Sequence, residues 1–268
     1  EVRLAEKREF LKSVREADPG GYWKILADLA LKDYWLFLRE LLQYRWMDPW
    51  FHGEVLVRWL DERPGKSVLI LMPRGTGKTS LITQPRPAWW LAQDPTEGVI
   101  VANARDERAQ KMVRSTAQII SSNERYRLCF PYVKPSNKWG ESGYYLDTQA
   151  MQEVIPLVSF RVDAALNAFG YTGNITGSHV GGALVVDDLI NQAMAESLKQ
   201  MTTAEKFFIE AQNCVDPGNP QIIIGTRWHP ADFYGKIETG ELKGNDGQMD
   251  VLKIGHLDRE GNYVFPAR

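Results

Sequence analysis

Cysteine is scarce: Cys129 and Cys214 are the two in 268 residues, too few for a disulfide framework, and no Cys/His pair has the spacing of zinc ligands. That usage fits a reducing compartment such as a cytoplasm. An excess of charge of one sign is also missing. With 32 Lys and Arg against 34 Asp and Glu the net charge is -2, so no global field marks a nucleic-acid binder, although a local basic stripe fits inside so balanced a total. Long apolar runs are absent as well. The longest stretch free of Asp, Glu, Lys and Arg runs from Ala164 to Val186, and Asn, Thr, Ser, His and five glycines break it, which argues against a membrane span. The opening "EVRLAEKREFLKSVREAD" is charged throughout and has neither the apolar centre of a secretory signal nor an initiator methionine, as expected of a segment cut from a longer chain. No repeat or low-complexity tract occurs.

What is present is an ordinary globular composition, 44% hydrophobic and 25% charged, in a chain long enough to bury roughly three quarters of its unfolded surface. Residues 3–16 and 22–45 read as helices, the second with Leu26, Leu29 and Leu36 at helical spacing and aromatic rings suited to packing. After the "DPW" break at 48–50, "FHGEVLVRWLDE" adds a short helix that ends before Pro64. The pattern then changes. "SVLILM" (67–72), "GVIVA" (98–102), "ALVVD" (183–187) and "QIIIG" (221–225) are short and almost wholly apolar, as strands buried on both faces of a parallel sheet must be. Helix-like stretches at 79–93, 105–122 and 196–212 lie between them, an alternation that predicts an α/β fold with helices on both sheet faces. Pro85 and Pro87 should kink or shorten the first of these helices. Residues 123–162 have a weaker pattern, with "KPSNKWGESGYY" as a surface loop and "EVIPLVSFRV" as a strand. The expected organisation is a helical appendage over 1–60, an α/β core over 61–258 and the start of a linker over 259–268.

The chemistry concentrates in three stretches. "LMPRGTGKTS" (71–80) holds Gly75, Gly77, Lys78 and Thr79, the second half of a phosphate-binding loop, between a strand and a helix; Met72 stands where the first glycine usually is. Such a loop aims backbone N–H groups at phosphate oxygens, reaches the terminal phosphates with its lysine and holds Mg²⁺ with its hydroxyl. "ALVVDDL" ends a strand in two acids: Asp187 is placed to hold Mg²⁺ through water, and Asp188 to orient and deprotonate an attacking water. Two aspartates that merely end a strand are the plain alternative. "IIIGTRWHPADF" puts Thr226 at a strand tip, where a polar group can sense a γ-phosphate, although a simple helix start at "HPAD" explains the same residues locally.

Taken in order, "MPRGTGKTS", "ITGSHVGGALVVDDLI" and "IIIGTRWHPADFYGKI" resemble the ATPase domain of the large terminase subunit of tailed double-stranded DNA bacteriophages, over most of 45–240. The resemblance implies a P-loop NTPase fold of the ASCE type, and an ATP-driven motor, dependent on Mg²⁺, that packages viral DNA into a procapsid. Its partners would be the DNA phosphate backbone, the portal protein and the small terminase subunit. It would work as a pentameric homo-oligomeric ring in the host cytoplasm and transiently on the procapsid, with no membrane involved. Residues 73–80 (Pro73, Arg74, Gly75, Thr76, Gly77, Lys78, Thr79 and Ser80) would cradle the nucleotide, with Phe51 and His52 at an adenine-contacting segment, although a buried aromatic cluster explains Trp50, Phe51 and His52 about as well. Asp188, Arg74 and Lys78 would be catalytic, Thr79 and Asp187 would serve the metal, and Thr226 with Arg227 would couple hydrolysis to movement.

Three features depart from the family. Aspartate stands at 188 where glutamate is usual. No arginine lies between Arg161 and Arg227, and His179 occupies the stretch where a transition-state arginine is expected, which leaves Arg74, Arg105, Arg108, Arg161 and Arg227 as candidates for that role. The chain ends at "NYVFPAR", about where the family's nuclease begins, so no DNA cleavage is expected of these 268 residues. A helicase or other nucleic-acid-stimulated ATPase, a non-hydrolysing ATP-binding assembly module and a small-molecule kinase are the rival readings.

Overall fold

The computed structural model describes residues 2–140, 143–152, 163–175, 177–257, 260 and 264. The "EVIPLVSFRV" run and most of 259–268 lie outside these residues. Six strands, β1 (Ser67–Leu71), β2 (Val99–Asn103), β3 (Leu166–Gly170), β4 (Ala183–Asp187), β5 (Gln221–Gly225) and β6 (Asp250–Lys253), form one sheet in the order β3-β2-β4-β5-β1-β6. Every pairing is parallel. Of the five strands expected from sequence, the four that fall on described residues are the four central ones, and all of their residues are buried.

That uniform burial conceals a period of two. Val68 and Ile70 of β1, Val185 of β4, and Ile222 and Ile224 of β5 enter one apolar core; Leu69, Leu71, Leu184, Val186 and Ile223 enter the other. Side chains alternate across a strand, and because helices cover both faces neither set is polar. The first face is packed by Leu26, Leu36 and Phe37 from the N-terminal helices, together with Leu91 and Val113. Residues 1–60, set apart in the sequence as an appendage, thus share a core with the sheet wherever they are described. Met201, Phe207 and Phe208 of helix Leu198–Gln212 and Phe233 of helix Phe233–Glu238 close the second face. Among the described residues no helix is long and apolar enough to cross a membrane.

Two predicted helices are divided, each for a local reason. The 22–45 stretch stops at Asp33, whose backbone is extended (φ -141°) and whose carboxylate accepts from Leu36 N–H at 2.9 Å, an N-cap that starts a new turn. The 79–93 stretch is interrupted by Pro85. Proline has no N–H for the carbonyl four residues back, here Leu81, and its ring crowds that carbonyl. The chain answers with a wide turn over Thr79–Thr83, closed by Gln84 N–H donating to Thr79 O at 3.0 Å, and the helix restarts as Pro85–Gln93 with proline at its first position. The displaced Leu81 carbonyl accepts from the fully buried Tyr34 hydroxyl at 2.5 Å. Tyr34→Phe keeps the ring and deletes that donor. It is expected to lower the unfolding free energy by about 1–2 kcal/mol in a urea titration; an unchanged midpoint would show that the carbonyl does not depend on the hydroxyl.

Candidate functional site

In an open parallel sheet, polar groups collect beyond the carboxyl ends of the strands, where the sheet stops covering itself. Here β5 lies between β1 and β4, with Leu71 opposite Gly225 and Asp187 opposite Ile224. Three strand ends far apart in sequence therefore meet, and the segments that follow them are the 72–80 loop, the Asp187–Asp188 pair and Thr226.

The loop is held from behind. Asp48 N–H donates to His52 Nδ1 at 2.8 Å, which leaves the proton on Nε2 to donate to Thr76 O at 3.0 Å. Thr76 Oγ1 donates to Pro73 O at 2.9 Å and tightens the turn. Gly75 and Gly77 both have φ of +82°, and a Cβ on Gly77 would come within 2.9 Å of the Trp46 indole, so position 77 tolerates no side chain on either ground. The structure thus puts His52 on the rear of the loop; Phe51 is buried in the core with its ring edge-on to His52, and neither lines the cleft in front.

At the front, the Lys78 ammonium donates to Met72 O at 2.7 Å, Thr226 Oγ1 at 3.0 Å and Gly225 O at 3.4 Å. Burial lowers its pKa, the charges of Asp188 and Asp187 oppose that shift, and Arg74 adds to it. Asp187 is fully buried; its Oδ2 accepts from Thr79 Oγ1 at 2.7 Å and Thr83 Oγ1 at 2.6 Å, while its Oδ1 has no hydrogen-bond partner. Burial raises its pKa from 3.8 to about 6, with the neighbouring Asp188 charge adding and the two hydroxyls and Lys78 subtracting. Asp188 then turns out of the strand in the left-handed region (φ 47°), its N–H on Ile224 O at 2.9 Å and its carbonyl accepting from Ala104 N–H at 3.2 Å. That turn brings Asp188 to the wall of the cleft.

The cleft has a volume of about 710 Å³. Arg74, Lys78, Arg105, Arg108 and Lys111 line it, and among the described residues Asp188 is its one lining carboxylate, so a chain of nearly balanced charge presents here a local concentration of cations. Gly75 to Ser80 form its floor. The Arg74 guanidinium lies 4.6 Å from the centre of the Trp228 ring. Arg227 is directed elsewhere: it is paired with Asp232 and Glu238 and donates to Pro230 O at 2.8 Å. His179 pairs with Asp216 at 3.4 Å, outside the cleft, and Arg161 is outside the described residues.

Asn103, Thr83 and Trp228 join the site without having been expected. Asn103 ends β2, donates through Nδ2 to Asp187 O and accepts from Arg105 N–H at 3.0 Å, which ties two strand ends together. A polar residue closing an apolar run is the signal that could have found it. Thr83 has a comparable signal in its spacing, one helical turn beyond Thr79.

No family model matches the chain, and no curated protein matches it. The Asp187 shift sets a measurable sign. A pKa raised by folding means that the native state holds the proton more tightly; the stabilisation is complete below the unfolded value near 3.8 and is lost as pH rises through about 6. Two units correspond to roughly 3 kcal/mol. Asp187→Asn should therefore gain about that much unfolding free energy relative to the parent protein between pH 4 and pH 7. A relative stability that does not change with pH would show that Asp187 is not a buried titrating acid.

Proposed function

We propose that the chain binds Mg·ATP in this cleft and hydrolyses it, as the motor domain of a large terminase subunit that translocates double-stranded DNA. The observation that carries the reading is the convergence of Lys78, Thr79, Asp187, Asp188 and Thr226, which follow or end three separate strands, the first of them more than a hundred residues before the other two. The DNA-packaging part rests on the three sequence stretches that resemble that family.

Both ligands meet a fitting set of groups. Five cationic side chains around a glycine loop suit a polyanionic tail. The unpartnered Oδ1 of a buried carboxylate, beside a threonine hydroxyl, suits a hard cation with oxygen ligands. Asp187 and Thr79 would hold Mg²⁺, and the ion when bound would neutralise charge on the phosphate oxygens.

The chain's own groups account for the remaining requirements. Lys78 exchanges its bonds to Met72 O and Thr226 for phosphate oxygens. Asp188 orients a water and accepts its proton as the water oxygen bonds to the γ-phosphorus and the bridging P–O bond breaks, so that ADP and phosphate leave. Aspartate reaches about one methylene less far than glutamate; Asp188 leaves the strand in the left-handed region and lines the cleft. Arg74, Arg105 and Arg108 can meet negative charge on the transferred group from within the same subunit. Loss of the phosphate returns Lys78 to Thr226, and the Arg74–Trp228 contact connects the loop to the segment after β5.

Phosphate release with and without double-stranded DNA tests the reading. Lys78→Ala should abolish turnover. Asp188→Asn should lower the rate by about 100-fold or more while leaving ATP affinity within a few-fold. DNA should accelerate the parent protein, and the effect should fade steeply with added salt because the contacts are to phosphates. Hydrolysis indifferent to DNA would reject the motor, and no heat on mixing with Mg·ATP would reject the nucleotide site.

A further inference from the structure

A second cleft, of about 610 Å³, lies at the opposite edge of the sheet, beyond the amino ends of β1, β2, β4 and β5. Its walls include Leu31, Leu60, Val99 and Ile222, with Trp89 and Trp90 from helix Pro85–Gln93. Arg86, from the first turn of that helix, lines it although the residue is 5% exposed. The Arg86 guanidinium packs over the rings of Tyr34, Trp89 and Trp90 at 4.5, 5.2 and 5.7 Å, and one nitrogen makes a long bond of 3.4 Å to Asp61 Oδ1. Its Nε and Nη1 are buried without a hydrogen-bond partner.

Such a cation is under-compensated on three counts. A buried guanidinium normally finds acceptors for its donor fork, and here two of three nitrogens have none. It sits at the positive end of a helix, where the backbone field favours anions. Asp61 is a weak counter-ion: it is partly exposed and at the limit of bonding distance, and burial keeps its own pKa above the ordinary value even with Arg86 alongside. Ring faces attract the cation but accept no well-directed N–H···O bond.

We propose that this cleft is a binding site for a small carboxylate with an apolar body, the carboxylate taking the place of the long Asp61 bond across the Nη1 and Nη2 end of Arg86 and the body lying against Trp89, Trp90 and Leu60. Lys32, Arg63 and Lys66 line the cleft alongside Asp61, Asp94 and Glu97, so among the described residues Arg86 is the one cation in excess, which suits a singly charged carboxylate better than a phosphate dianion. An arginine fork presents two parallel N–H groups matched to the two oxygens of a carboxylate. The site stands apart from the nucleotide cleft and does not depend on the reading given to that cleft.

Calorimetric titrations of the whole chain with indole-3-acetate, octanoate, 1-octanol and inorganic phosphate test it. The two carboxylates should bind saturably at millimolar concentration or below, and octanol and phosphate at least about tenfold more weakly. Asp61→Asn, which removes the competing acid, should tighten carboxylate binding several-fold, whereas Arg86→Gln should weaken it by about tenfold or more. Trp90→Ala, at a partly exposed wall, should weaken it with the fold intact, and Lys78→Ala should leave it unchanged. No saturable binding of either carboxylate, octanol or phosphate binding as well as they do, or unchanged affinity in Asp61→Asn would each overturn the proposal, the last even if Arg86→Gln fails to fold.

Discussion

A sheet covered on both faces can present polar groups only where its strands end, and this constraint organises the molecule. In the four central strands, burial of every residue leaves no side-chain position within the sheet open to water. The functional groups therefore gather where Leu71, Asn103, Asp187 and Gly225 hand the chain over to loops. Strand order does the rest. Inserted between β1 and β4, β5 carries Thr226 to Lys78 and lies between the lysine's strand and the strand that ends in the acids.

The same constraint makes Asp187 costly. A carboxylate at a strand end that is still fully covered has lost its water and regains two hydroxyl donors on one oxygen and none on the other. The nearby cationic charge is itself strained, since burial of Lys78 disfavours its ammonium. Burial disfavours the charged form of both groups, and the charge of each partly offsets that for the other. Strain of this kind at a cleft wall is the physical content of a preorganised site.

Much of this was legible in advance, for identifiable reasons. Both faces of the central strands are buried, so their residues stand out as apolar runs, and the two glycines of the loop stand where φ is positive. The edge strands escaped because edges are not selected for uniform apolarity: "LNAFG" of β3 is half-exposed at its centre, and "DVLK" of β6 is mostly exposed. The break at Asp33 escaped because the apolar period runs across it while the cap acts locally. His52 was read as facing a base; it supports the loop from behind, a distinction that spacing cannot make, because both positions lie one side chain from the loop. Arg227 follows Thr226 in sequence, but the carboxylates of Asp232 and Glu238 draw it away from the cleft.

The N-terminal segment also determines which part of the site can move. Tyr34 and His52, both fully buried, donate to Leu81 O and Thr76 O, one on each side of Lys78 in the chain. These bonds have no water to exchange with, so the rear of the loop is fixed to the first-face core. At the front, Lys78, Thr226, Arg74 and Trp228 make contacts that an incoming anion can replace. If the cleft takes a nucleotide, any response to phosphate must leave through β5 and the segment after it, since the opposite side is held by the core. In "GTRW" Thr226 accepts from the lysine and Trp228 packs under the Arg74 guanidinium, two residues apart, so the segment after β5 touches both cations of the loop.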